Sequence, residues 1–140
     1  MNTDALKIAL EAIRRKDRFE AEIEQMLTEK GFDITGILHY LRGRKFVDDN
    51  RVVASEVERL TRKRGLGPDR VREELSLRGA PEHLLNEALR DIESNKVSGA
   101  TQNLINRFSA RPDKGRAMRF LMSRGYDEET AETAFQAAFP

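Results

Sequence analysis

Two kinds of residue in this chain carry enough chemistry to suggest a site: adjacent carboxylates and runs of cations. Asp48 and Asp49 are neighbours, and paired carboxylates serve general acid–base catalysis. Here Asn50 follows and a helical apolar series (Val57, Leu60) begins just beyond, so the pair reads as turn and capping residues. The two imidazoles, His39 and His83, have no cysteine to accompany them, which makes a poor metal donor set; both read as structural. No Ser/His/Asp or Cys/His arrangement is available. The expectation is therefore a protein that is not an enzyme, with no catalytic residue, metal site or cofactor.

The cations are more informative. Lys and Arg number 25 against 24 Asp and Glu, a net charge of +1, yet they are unevenly placed. Residues 59 to 78 hold seven Lys/Arg against three acids, and residues 107 to 124 hold six against Asp113 alone. Acids gather elsewhere, as at Glu20, Glu22, Glu24 and Glu29. A near-neutral chain can thus carry a basic edge that attracts phosphates or an acidic protein groove. The expected contact residues are Arg62, Lys63, Arg64, Arg70, Arg72 and Arg78, followed by Arg116 and Arg119. The plainer alternative is a solvated helix face with i,i+4 pairs such as Glu58–Arg62 and Glu74–Arg78.

Two short segments combine cations with special backbone. In Arg62-Lys63-Arg64-Gly65-Leu66-Gly67-Pro68 the next helix could open towards a phosphate. The segment lacks the Lys-Ser/Thr of a P-loop and follows no strand, so it reads as a helix end and a proline-started helix. Arg42-Gly43-Arg44-Lys45-Phe46 could touch a phosphate and stack a base. The preferred reading is a helix-end turn with Phe46 buried.

The elements that must position these residues are helices. Apolar residues recur at Phe19, Ile23, Met26 and Leu27, the i, i+4, i+7, i+8 pattern of a helix face, and β-branched alternation is absent. Asp17 with Glu20 suggests a capping box. Asp33 and Asp127 suit N-caps and Pro81 a first turn. Phe108, Phe120, Tyr126, Phe135 and Phe139 follow helical spacing and belong to a core. At 140 residues without cysteine, the chain can fold without disulfides. No apolar run reaches the ~18 residues of a membrane span, and no signal peptide opens it. The expectation is cytoplasmic.

Gly31, Gly79 and Gly125 expose a repeat. Each follows Lys or Arg, with Leu27, Leu75 or Leu121 four residues before it and Phe32, Ala80 or Tyr126 directly after. Intervals of 48 and 46 residues, with matched apolar positions, indicate tandem units. The expected units are residues 1–50, 51–94 and 95–140, each with room for three helices and stacked on its neighbours.

These residues resemble the RecX family, the bacterial modulators of RecA recombinase. The resemblance rests on Phe46-Val47-Asp48-Asp49-Asn50-Arg51, Arg62 to Pro68, Val71-Arg72-Glu73-Glu74-Leu75 and Leu77-Arg78-Gly79. Ala5-Leu6, Arg18, Glu22-Ile23 and Lys30-Gly31 extend it to the first unit, and Phe120-Leu121 with Arg124-Gly125-Tyr126 to the third. Phe19 stands where the family often has Ser or Thr, Val52–Val53 replaces an aromatic-Ala pair, and Ala80–Pro81 replaces an apolar-polar pair. The resemblance implies an all-α, crescent-shaped solenoid of three three-helix repeats. It also implies a monomer that lies in the groove of the RecA–DNA filament. Such a protein acts without chemistry, limiting recombinase and coprotease activity in DNA repair and the SOS response, with single- or double-stranded DNA as a further partner and no membrane. The alternatives are a stand-alone helix-turn-helix-like DNA-binding protein or transcription regulator, and a scaffold for another protein. Glu73 and Glu74 beside Arg70 and Arg72 argue against insertion of that helix into a DNA groove.

Overall fold

The computed structural model describes residues 1–140 and contains ten helices and no strand. They are α1 (Thr3–Arg15), α2 (Glu20–Glu29), α3 (Ile37–Gly43), α4 (Asp49–Arg62), α5 (Pro68–Leu77), α6 (Glu82–Ala88), α7 (Arg90–Ser94), α8 (Lys96–Arg107), α9 (Lys114–Ser123) and α10 (Glu128–Ala138). No helix is long and apolar enough to cross a membrane.

Side-chain caps fix several helix starts by satisfying amides that lack an intrahelical partner. Asn2 accepts from the Asp4 and Ala5 amides, Asp48 from Arg51 N and Asp113 from Arg116 N. Pro68 opens α5, where its missing N–H costs nothing. Asp127 accepts from the Thr130 amide at 2.8 Å and lies 3.1 Å from Lys96 Nζ. The Thr130 amide bond, helped by Lys96, holds its carboxyl down to about 2. A folded pKa below the ordinary value means that this carboxylate favours the fold above the usual carboxylate range, and that the favour is lost as pH falls towards 2. Asp127→Ala should lower stability by about 1 kcal/mol at neutral pH, read as a urea midpoint shift. That shift should shrink in acid.

Two caps differ from the sequence expectation. Asp17 and Glu20 form no box. The N-cap of α2 is Phe19, whose amide donates to Glu22 Oε1 at 2.9 Å. Asp17 instead pairs with Arg51 at 3.1 Å. Asp33 turns back on Thr35, accepting from its amide and hydroxyl, while Gly36 caps α3 with φ +79°.

The three marked glycines adopt φ of +81°, +94° and +99°. Behind each, the following amide returns to the leucine carbonyl: Phe32 N to Leu27 O, Ala80 N to Leu75 O and Tyr126 N to Leu121 O, at 3.0–3.1 Å. This closes the helix end with the six-to-one bond of a Schellman turn.

The apolar residues collect in three clusters. One joins Ala5, Ala9, Ile23, Leu27, Ile37, Leu41 and Val47. A second joins Val52, Val53, Leu60, Val71, Leu75, Leu85 and Leu89, and takes Phe19 from the preceding segment. The third joins Ala100, Leu104, Phe108, Leu121, Tyr126, Ala131 and Phe135, so the third-segment aromatics lie in or against a core as expected. Phe46 does not: it is 42% exposed, and Val47 takes the interior place at 2%.

Candidate basic interface

The two basic stretches fold into different electrostatic environments. In the first, α4 and α5 bring most cations onto carboxylates. Arg59 reaches Glu56, Arg62 reaches Glu58 at 3.2 Å, and Arg64 and Arg70 share Glu74 at 2.9 and 3.5 Å. Only Lys63 and Arg72 in this stretch have no acidic partner, and Arg72 Nη1 donates to Asn86 Oδ1 at 2.6 Å.

Arg78 is enclosed. Its side chain is 18% exposed; Nε and Nη2 bind the Glu22 carboxylate at 3.2 and 3.1 Å, and Nη1 binds Glu56 at 2.6 Å. Nη2 also donates to the Asp17 carbonyl at 3.0 Å, and the guanidinium lies 5.0 Å from the Phe19 ring centroid. Burial disfavours the cation, but its carboxylate partners outweigh that and raise its pKa. Burial likewise pushes the Glu56 carboxyl up, and hydrogen bonds from Arg59 and Arg78 bring it below its ordinary value. The expectation that Arg78 faces a partner is thus corrected. It ties α5 to α2 and α4, and all three of its guanidinium nitrogens are engaged inside the fold.

The glycine-proline turn has a similar internal role. Gly67 N donates to Arg124 O at 2.7 Å and Asp69 N to Gly125 O at 3.2 Å. Arg124 Nη1 returns to Arg64 O at 2.6 Å, and Arg70 Nη1 to Ser123 O at 3.2 Å. The positive end of α5 therefore meets the carbonyl end of α9, a favourable pairing of helix dipoles. A Cβ on Gly67 would sit 2.6 Å from Gly125 O. No space remains there for a phosphate, and α5 cannot lead its N-terminus into a DNA groove.

The second basic stretch is open. Of its cations only Lys114 forms an ion pair, with Glu132 at 2.6 Å. Four of its five arginines lie over aromatic faces instead, all but Arg119. Arg107 and Arg116 sit 5.1 and 5.3 Å from the Phe108 centroid, Arg111 4.9 Å from Phe135 and Arg124 5.0 Å from Phe120. Phe108 and Phe120 meet edge to face at 5.7 Å. Ring faces hold the guanidinium planes without neutralising them, so this surface keeps its positive potential. Arg116 and Arg119 are exposed on α9. The one acid of the stretch, Asp113, is occupied in capping α9.

Arg107 and Arg111 therefore join Arg116 and Arg119, although charge counting alone did not single them out. The available signal was the adjacency of Arg107 to Phe108 in a stretch whose only acid stands at a capping position. His39 and His83 lie exposed on α3 and α6.

No family model matches the chain. The regulatory protein RecX of Thermus thermophilus is 30% identical over 140 residues, covering 99% of this chain and 94% of that protein. RecX of Halorhodospira halophila is 30% identical over 142 residues, covering 93% and 85%. RecX of Bacillus licheniformis is 29% identical over 93% of this chain. The chain spans about half the length of that relative, 53%. Among solved structures, RecX from Lactobacillus salivarius superposes with a TM-score of 0.77 at 19% identity, over 97% of this chain and 95% of that one. A second RecX crystal structure gives 0.74 at 23% identity, over 96% and 72%. At these identities the solved structures speak to the fold.

Proposed function

This chain belongs to the RecX family, and on that premise we propose that it regulates RecA by lying in the groove of the RecA–DNA filament and inhibiting recombinase and coprotease activity. The regulation involves no chemistry on substrate. The three apolar clusters support a reading as three stacked helical units, curved to follow a helical groove. The protein works in the cytoplasm as a monomer, and its effect is to limit filament growth and the DNA-repair and SOS signalling that depend on it.

The observation that carries this reading is the arginine surface of the last segment. Arg107, Arg116 and Arg119 have no carboxylate within ion-pairing distance, whereas most first-stretch cations do. A charged groove responds to net potential, so the open arginines lead and Lys63 and Arg72 assist. Filament contact through Arg62, Arg64 and Arg70 is secondary, because each already faces a carboxylate.

The test compares charge reversal in the two stretches. Arg116→Glu with Arg119→Glu should raise the concentration for half-inhibition of RecA ATP hydrolysis by about tenfold or more, the size expected when close charge pairs are lost. Arg62→Glu should change it less than about twofold. Thermal unfolding is followed for both variants. Equal effects would move the contact away from α9, and no inhibition by the parent would remove the proposal.

A further inference from the structure

We propose a second contact, for unpaired nucleic acid, at the turn that follows α3. It lies outside the α9 surface and does not depend on RecA. Its centre is Lys45, the only non-glycine residue with positive φ, at +61°. For a side chain bearing Cβ this conformation is disfavoured. Strain of this kind persists where the surrounding structure over-determines it, and it gathers at functional sites. The surroundings here do so: Lys45 N bonds Arg42 O at 3.1 Å and Phe46 N bonds Leu41 O at 2.9 Å.

The turn reverses the chain so that Val47 enters the core while Phe46 remains outside, 42% exposed. A buried Phe46 would have needed no ligand; an exposed one beside free cations has the make-up of a base-stacking platform. Arg44 lies 5.2 Å from the Tyr40 ring centroid, a planar cation already resting on an aromatic. Neither Arg44 nor Lys45 has an acidic partner. Arg42, by contrast, is held by Glu20 at 2.6 Å. One exposed ring, one supported guanidinium and one ammonium without an acidic partner thus share a few residues of surface.

This combination favours single strands over duplexes. Stacking on Phe46 needs a base face that a duplex conceals, while Arg44 and Lys45 meet phosphates of the same strand. A protein partner could also use such residues, and the experiment separates the two.

The full chain is titrated, without RecA, into labelled oligothymidylate and into its duplex with oligoadenylate. Fluorescence anisotropy reads binding, and a salt series reads the ionic component. The parent should prefer the single strand. Phe46→Ala should weaken single-strand binding about tenfold, the loss of one base stack, with duplex binding unchanged. Phe46→Tyr should restore it. Arg44→Glu should weaken it and flatten the salt dependence. Lys45→Gly should unfold no more easily than the parent, because glycine accepts this φ, yet bind less tightly. Several results would overturn the proposal: no single-strand preference in the parent, equal binding by Phe46→Ala, or equal loss for strand and duplex. So would a Phe46→Ala defect confined to RecA inhibition, which would assign the turn to a protein contact. Loss of RecA inhibition in the α9 variants leaves these outcomes untouched.

Discussion

Arg78→Ala is expected to cost about 3 kcal/mol of folding stability at neutral pH, although it removes one arginine from a chain rich in them. The guanidinium serves Glu22, Glu56 and the Asp17 carbonyl together, in surroundings where the three side chains are 18%, 16% and 10% exposed, for Arg78, Glu22 and Glu56 in turn. Removing one partner of a buried ion pair strands the other, and here Glu22 loses its cation while Glu56 keeps only Arg59. Arg78→Lys should recover part of the loss, since a lysine cannot bind Glu22 in two places.

The pH dependence checks the cause. In the parent the Glu56 carboxyl lies below its ordinary pKa, so its pairing favours the fold above the usual carboxylate range and loses that favour in acid. In Arg78→Ala the carboxylates that have lost Arg78 destabilise the fold only while ionised. The gap between parent and variant, read from urea midpoints, should be widest near neutrality and narrow towards about pH 4. A gap independent of pH would assign the loss to packing on Phe19. In either case, charge reversal at Arg78 reports on folding and not on docking.

The second large effect should come from glycine to alanine substitution at three equivalent turns. All three have positive φ, and they differ in what lies opposite. Gly31 faces open space, so Gly31→Ala should cost only the conformational term, about 1 kcal/mol. At Gly79 a Cβ would sit 2.6 Å from the Ala21 Cβ. At Gly125 it would overlap the Cβ of Arg70 and lie 2.6 Å from its backbone nitrogen. Gly125→Ala should therefore add overpacking to backbone strain and weaken the bonds from Gly67 and Asp69, for about 3 kcal/mol or more. In a chain of this size that lowers the melting temperature by about 10 °C. Calorimetry of the three variants should rank them Gly31, Gly79, Gly125 in increasing loss. Equal losses would mean that the turns of α5 and α9 do not bear on their neighbours.

The glycines were legible because one backbone requirement selects one residue type, whatever surrounds it. The helices, the Asp127 cap and the aromatic core followed from local periodicity in the same way. Phe46 was misread because burial depends on the turn before it: Lys45 takes a conformation its residue type disfavours, and the chain re-enters the core one residue later than periodicity suggests. The α2 cap was misread because Phe19 is required by the second core, so Glu22 completes the cap from inside the helix. Arg78 was assigned to the surface because charge counting along a segment cannot see Glu22, which approaches from a distant helix.

The two junctions on either side of α5 differ in material. Towards α2 the chain is fastened by Phe19 set in the second core and by charge, Arg78 on Glu22 and Arg51 on Asp17. Towards α9 it is fastened by main-chain bonds between Gly67 and Arg124 and between Asp69 and Gly125, across a glycine contact with no room to slide. Salt screens exposed charges far more than backbone bonds. Of the charged ties, Arg51–Asp17 is exposed and open to screening, whereas Arg78 is enclosed with its carboxylates and is screened much less. Raised ionic strength should therefore loosen only the exposed edge of the first joint and leave the backbone-bonded joint between α5 and α9 as it is.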